Sequence, residues 1–166
     1  MEMKIYLTNL GKYTEGEHVG AWFTPPIDEE EMKERIGLYD RYEEYAIHDY
    51  ELPFRIDEYT PISEINHLCE MITELEGESI YDELQAIQHM WFDSIEELLE
   101  NVENIICYSD CNSMEDVARH FIDETNALGE ISSELEMYID YEAYGRTLES
   151  AGSFLITNHG VFEYLK

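Results

Sequence analysis

Ser63-Glu64-Ile65-Asn66-His67-Leu68-Cys69-Glu70-Met71-Ile72-Thr73-Glu74-Leu75 sets the pattern for the whole chain. Ile65, Leu68, Cys69, Ile72 and Leu75 recur at i, i+3, i+4, i+7 and i+10, the apolar stripe of an amphipathic helix. Glu64, Glu70 and Glu74 lie off that stripe, and no Lys or Arg stands among them. The segment therefore predicts a helix that buries one face and presents bare carboxylates on the other.

Strands flank this helical middle. Upstream, residues 3–10 alternate apolar and polar, with Ile5 and Leu7 against Tyr6 and Thr8, and read as a strand. Gly11 to Gly16 reads as a turn. Val19 to Phe23 reads as a second strand, stopped by Pro25-Pro26. Asp28 caps a short helix with Glu29, Glu30 and Glu31 in its first turn, where the helix dipole favours acids. Gly37 ends it, and Glu44 to Leu52 makes a third strand before Pro53.

Downstream, Gly77 closes this middle helix, which Thr60-Pro61 or Ser63 opens. Ile80, Leu84, Ile87 and Trp91 mark a second helix. Ser94 and Glu97 have capping-box spacing and open a third, burying Ile95, Leu98 and Leu99. Ile105 to Tyr108 is a short strand, and Ser113 with Asp116 opens a helix through Phe121. Ser133 to Glu149 has a weak helical pattern in which Tyr138, Tyr141 and Tyr144 recur every three residues. Phe154 to Ile156 and Val161 to Tyr164 flank Thr157-Asn158-His159-Gly160 as a hairpin. The expected fold is α+β, an elongated chain of three small lobes. These are a ββαβ lobe over 1–60, a helical lobe over 61–103 and a mixed α/β lobe over 104–166.

The charge is extreme. The 166 residues hold 39 Asp and Glu against nine Lys and Arg, a net charge of −30. Such a charge often means disorder. Here 44 % of residues are hydrophobic, with 13 Tyr, six Phe and two Trp, so a core is affordable. Direct binding to nucleic acid or to an anionic membrane is excluded by the sign of the field. A positively charged partner is expected instead. No apolar run reaches a membrane span, and the first residues are not a signal peptide. Three cysteines, Cys69, Cys107 and Cys111, are too few and too odd for a disulfide scaffold, which fits a reducing cytoplasm.

The acids are not spread evenly. Residues 56–118 contain 17 acids and no Lys or Arg, and from Asp57 to Tyr144 Arg119 alone faces 24 carboxylates. Residues 146–166 are formally neutral. Ordinary acidic surfaces interleave lysine and form i,i+4 pairs. A 63-residue stretch without a cation suggests a surface that imitates a polyanion. Carboxylates at i,i+4, such as Glu70 and Glu74 or Glu96 and Glu100, have Cβ atoms about 5–6 Å apart. Extended, they reach roughly two phosphate steps along one DNA strand. Thirty net charges match about 50 Å of duplex, near 15 base pairs.

The candidate phosphate-mimicking carboxylates are Asp57, Glu58, Glu64, Glu70, Glu74, Glu76, Glu78, Asp82, Glu83, Asp93, Glu96, Glu97, Glu100 and Glu103. Asp110, Glu115, Asp116, Asp123, Glu124, Glu130, Glu134, Glu136, Asp140 and Glu142 complete the set. No catalytic residue, metal site or cofactor motif is expected. The glycines are scattered singly, the histidines lack ligand spacing, and Asp110-Cys111-Asn112 suits a helix cap better than a calcium loop. The alternative expectation is an acidic regulatory module that binds cations or a basic protein. Two subunits would repel across the acidic stretch, so a homodimer is expected to meet at the neutral C-terminal end. Its candidate interface is Phe154, Ile156, Val161, Phe162 and Tyr164.

The chain closely resembles the ArdA family of antirestriction proteins over nearly its whole length. The resemblance is carried by Ile5-Tyr6-Leu7-Thr8-Asn9-Leu10, Trp22-Phe23-Thr24-Pro25-Pro26, Tyr138-Ile139-Asp140-Tyr141-Glu142-Ala143-Tyr144-Gly145-Arg146 and Thr157-Asn158-His159-Gly160-Val161-Phe162. It implies a non-enzymatic DNA mimic, encoded largely on mobile genetic elements, that occupies the DNA-binding groove of type I restriction–modification enzymes. It also implies a three-lobed subunit that dimerises through its C-terminal lobe.

Overall fold

A computed structural model describes residues 2–166. Its architecture is α+β, two small antiparallel sheets with helices packed on them. The chain divides into two compact units, Met1–Glu76 and Gly77–Lys166. The division falls within residues 61–103, so the Ser63 helix clusters with the first unit and the helices after it with the second.

In the first unit, β1 (Lys4–Asn9) lies between β2 (Gly20–Phe23) and β3 (Tyr45–Glu51). Ile5 faces Phe23, and Leu7 faces Ala21 and Ile47. A register shift at Tyr6/Leu7 places one extra residue on β3. Helix α2 (Glu29–Ile36) packs on β1 and β2 and buries Met32 and Ile36. Asp28 accepts the Glu31 N–H at its start, and Gly37 ends it at φ 71°. That left-handed conformation is open to glycine without strain. Helix α3 (Ile62–Glu74) buries Ile62, Ile65, Leu68, Cys69 and Ile72. Asn66 ties it to the segment after Pro26, accepting the Ile27 N–H at 2.6 Å and donating to the Ile27 carbonyl at 2.9 Å.

The predicted turn at Gly11 is instead a short helix, α1 (Leu10–Thr14). Asn9 is the reason. Its side chain is fully buried. Its Oδ1 accepts the Lys12 N–H at 3.0 Å and caps α1. Its Nδ2 donates to the carbonyls of Ile36 and Gly37 at 3.0 and 2.9 Å. One amide thus joins β1, α1 and the end of α2, each partner satisfying a group that would otherwise be buried unpaired.

In the second unit, β6 (Gly160–Tyr164) lies between β4 (Ile105–Tyr108) and β5 (Phe154–Thr157). Alternation along β6 sends Val161 and Phe162 to opposite faces. Val161 joins a cluster with Cys111, Met114 and Val117, covered by Tyr108, Phe121, Leu148 and Phe154. Helices α7 (Met114–Thr125) and α9 (Tyr141–Ala151) pack together here. At their crossing a Cβ on Gly145 would lie 2.6 Å from the Met114 carbonyl oxygen, so only glycine allows this approach. On the other face, the rings of Trp91 and Phe92 lie 5.7 and 4.9 Å from Tyr164.

Two further sequence readings change. The helix expected from Ile80 to Trp91 is broken into α4 (Ser79–Asp82) and α5 (Leu84–Trp91). Glu83 sits between them at φ −118°, ψ 12°, outside the helical region. The weak pattern at 133–149 resolves into α8 (Ser133–Glu136) and α9. Asp140 caps α9 by accepting the Ala143 N–H, which leaves Tyr138 outside it and highly exposed. Helix α6 (Ile95–Glu100) and helix α7 start with the expected capping boxes. Ser94 Oγ accepts from Glu97 N and Ser113 Oγ from Asp116 N. The Glu97 and Asp116 carboxylates accept in return from Asp93 N and Asn112 N.

Candidate functional site

The exposed carboxylates are the outstanding chemical feature of both units. In the first unit α3 carries Glu64, Glu70 and Glu74 on the side opposite Ile65, Leu68 and Ile72, and Asp57, Glu58 and Glu76 stand on adjoining loops. In the second unit α6 presents Glu96 and Glu100 while Ile95, Leu98 and Leu99 are buried. Of the 24 candidate carboxylates, all but Glu64, Glu83 and Asp116 are exposed, and none is buried. The amphipathic periodicity that drives the helices into the core also drives these acids into water.

Some of these acids already have structural partners. Glu97, Asp116 and Asp140 cap helices. Arg119, the only cation between Asp57 and Tyr144, is held by Glu115 at 3.1 Å and lies 4.1 Å over the Tyr141 ring. Glu142 pairs with Arg146 at 2.8 Å. Asp82 and Glu83 face His159, whose Nδ1 is 2.7 Å from Glu83 Oε1 and whose Nε2 is 4.0 Å from Asp82 Oδ2. The hydrogen bond to Glu83 raises the His159 pKa above its ordinary value, with Asp82 adding to the effect. Sequence reading placed His159 simply in a turn. Its partner lies 76 residues away, so no local signal reveals the contact.

Burial shifts the thiols and one phenol. Burial pushes the Cys69 thiol up to about 11. Burial also raises Cys107 and Cys111, the latter further through Asp116 and Asp110. All three cysteines are free. Tyr108 is raised by burial and by donating at 2.7 Å to Glu163. Among the described residues, no three His, Cys, Asp or Glu side chains gather as metal ligands. Among those residues, no helix is long and apolar enough to cross a membrane.

The five hairpin residues expected at a dimer interface have different surroundings. Val161 and Phe162 have no accessible surface. Phe154 packs on the Val161 cluster, and Tyr164 packs on Trp91 and Phe92. Ile156 is 48 % exposed, and Leu165, just past the end of β6, is 47 % exposed. Ile156 and Leu165 are thus the most exposed large apolar side chains here, while Phe154, Leu155 and Tyr164 are half-buried and β5 lies at a sheet edge.

The family model for the antirestriction protein ArdA matches residues 5–163. The chain belongs to the ArdA family. It is an antirestriction protein, and its partner class is the restriction–modification enzyme. Among curated proteins, none matches it significantly in sequence. The residues that carry the ArdA resemblance mostly build the scaffold. Asn9 makes its three bonds, Asp140 caps α9, and Gly145 admits the α7–α9 crossing. Thr157 Oγ1 donates to the Gly160 carbonyl and accepts the His159 N–H within the hairpin turn. The ArdA signature in this chain thus fixes the frame on which the acids stand.

Proposed function

We propose that the protein inhibits restriction by imitating DNA, occupying the DNA-binding groove of a type I restriction–modification enzyme. The observation that carries this reading is the stretch from Asp57 to Tyr144. It holds 24 carboxylates, almost all exposed, and its one arginine is already paired. No catalytic step is involved. Carboxylates pair with the Lys and Arg groups that otherwise hold phosphates, and counterions leave both surfaces on binding. The inhibitor is a competitor whose affinity comes from many weak contacts.

Competition with duplex DNA for a purified type I modification methyltransferase tests this. Increasing inhibitor should raise the apparent Kd for DNA without limit, as pure competition requires. The inhibitor's own affinity should fall steeply between about 50 and 200 mM salt, as it does for proteins that make 6–10 phosphate contacts. Saturating inhibition with DNA still bound, or a salt-independent Kd, overturns the reading.

The same reading favours a homodimer that doubles the charged surface. Ile156 and Leu165 are its anchor points, because residues 146–166 add no net repulsion. Ile156→Asp should give folded monomers by sedimentation. A folded dimer that survives this change places the interface elsewhere.

A further inference from the structure

Besides its bare acids, the first unit has a cavity of about 510 Å³ lined by Leu10, Glu43, Glu44, Tyr45 and Tyr59. Two tyrosines and two glutamates line one concave surface whose lining includes no Lys or Arg. Tyr59 is 65 % exposed, and Glu43 and Glu44 are exposed as well. Nothing in their spacing reveals the juxtaposition, since Tyr59 lies 14 residues beyond Tyr45. The turn that carries Tyr59 runs beside β3. It is held there by the Ile47 N–H donating to the Glu58 carbonyl at 2.9 Å and by the Asp57 N–H donating to Thr60 Oγ1 at 2.9 Å.

The protein shows elsewhere what such a wall binds. Arg35 lies 4.4 Å over the Phe23 ring and pairs with Glu31. Arg41 lies 4.8 Å over Tyr42 and pairs with Glu15. Arg119 lies 4.1 Å over Tyr141 and pairs with Glu115. In each case a guanidinium lies over a ring while a carboxylate pairs with it, Arg41 also donating to the Tyr42 hydroxyl at 2.6 Å; Lys12 Nζ lies farther from a ring, 5.6 Å from the Tyr42 centroid. A planar, weakly hydrated guanidinium suits both contacts at once, and a compact ammonium suits only the charge. The Tyr45–Tyr59 cavity offers the same two elements, and its volume lies within the range of small-ligand pockets, about 300–1,000 Å³.

We infer that this cavity receives one arginine side chain of the restriction–modification enzyme, stacked on Tyr59 and Tyr45 and paired with Glu43 or Glu44. The inference rests on the DNA-mimic reading and adds to it. A phosphate backbone has no aromatic ring, so this contact is one that DNA itself does not make. It contributes an anchor that salt weakens less than the carboxylate pairs, because stacking excludes water from one face of the guanidinium.

The test compares wild type, Tyr59→Ala and Tyr59→Phe, each as the full chain, binding a purified type I modification methyltransferase across a salt series. Tyr59→Ala should weaken binding about threefold to thirtyfold at every salt concentration, the range expected for a cation–π contact. The slope of log Kd against log salt should stay that of wild type, because no charge is removed. Tyr59→Phe should retain wild-type affinity. Glu43→Gln with Glu44→Gln should weaken binding and also flatten the slope. Because Tyr59 is largely exposed, thermal melts of the two Tyr59 variants should overlay the wild type. If Tyr59→Ala binds like wild type while wild type shows its steep slope, the cavity is not an anchor and the mimic reading stands. If Tyr59→Phe weakens binding as much as Tyr59→Ala, the ring is not the contact, and the inference falls. If wild type itself shows no salt-dependent binding, the underlying mimic reading falls.

Discussion

Helices α2 and α3 carry acids in opposite ways. In α2, Asp28 caps the N-terminus, Glu29, Glu30 and Glu31 fill the first turn, and Lys33 and Arg35 fill the last. Lys33 reaches Glu30 at 2.9 Å and Arg35 reaches Glu31 at 3.4 Å. Apart from Glu34, every charge complements the helix dipole or a neighbour. In α3, Pro61 occupies the cap position without a side-chain bond, and the last turn has no base. Glu74 stands at the carboxyl end, where a negative charge is unfavourable by about 0.3–1 kcal/mol. Helix α6 repeats this with Glu100 as its final residue and no basic partner. The first-turn acids of α2 serve the helix that bears them. Glu74 and Glu100, at the carboxyl ends of α3 and α6, do not.

The strongest way to break this comparison is to exchange charge for amide in blocks. Glu70, Glu74, Glu96 and Glu100, changed together to Gln, should weaken binding to a type I methyltransferase about tenfold to several hundredfold. That assumes contributions of a few tenths to one kcal/mol each that add. The melting temperature should hold or rise, because Glu74 and Glu100 no longer place negative charge at the carboxyl ends of their helices. Changing Glu29, Glu30 and Glu31 to Gln should do the reverse, lowering the melting temperature and leaving most of the affinity. Equal effects on affinity from the two blocks would erase the distinction.

Salt offers a second lever with opposite signs for folding and binding. Raising it from about 0.01 to 1 M shortens the Debye length from about 30 to 3 Å. Screening then relieves the self-repulsion of a −30 chain, so the melting temperature should climb while affinity for the enzyme falls. A melting temperature that falls with salt would mean that the ion pairs of α2 and its like outweigh the unpaired acids.

His159 sharpens the comparison further, because it lends a cation to Asp82 and Glu83 inside the stretch that has none but Arg119. Its folded pKa is raised above the ordinary 6.5. A raised pKa means the folded state binds the proton more tightly than the unfolded state. The contribution is therefore fully present below pH 6.5 and is lost as pH rises through the shifted value. His159→Gln should destabilise the protein at pH 5.5 and make little difference at pH 9, measured by denaturant titration at both. A difference that grows with pH would contradict the assigned contact.

The smallest effect belongs to single acids. Glu70→Gln alone should change affinity by less than about fivefold, since exposed pairs contribute roughly 0–1 kcal/mol. Titration calorimetry resolves such a change. Complete loss of inhibition from this one substitution, with the fold intact, would mean that recognition is local rather than distributed.

Amphipathic spacing alone set most of the secondary structure and the side of each helix on which the acids stand. The period of Ile65, Leu68, Cys69 and Ile72 decides which face of α3 is buried, and the carboxylates are left with the other. The capping boxes at Ser94 and Ser113 are equally local, each completed within four residues. Composition fixed the sign of the protein's own field. What the tertiary structure decided concerns contacts between residues far apart in the chain. Asn9 turns an expected turn into α1 because its buried amide must satisfy carbonyls 27 and 28 residues away. Glu83 divides a predicted helix and meets a histidine 76 residues on. Val161 and Phe162, candidates for the dimer interface on sequence grounds, have no accessible surface within the single chain, where Val161 packs on Cys111, Met114 and Val117. Tyr45 and Tyr59 share a cavity only because backbone hydrogen bonds hold the Asp57–Thr60 turn beside β3. Period and capping depend on neighbours within a turn or two, and one sequence carries them in full. Pairing across the fold depends on which surfaces meet, and only the folded chain brings those together.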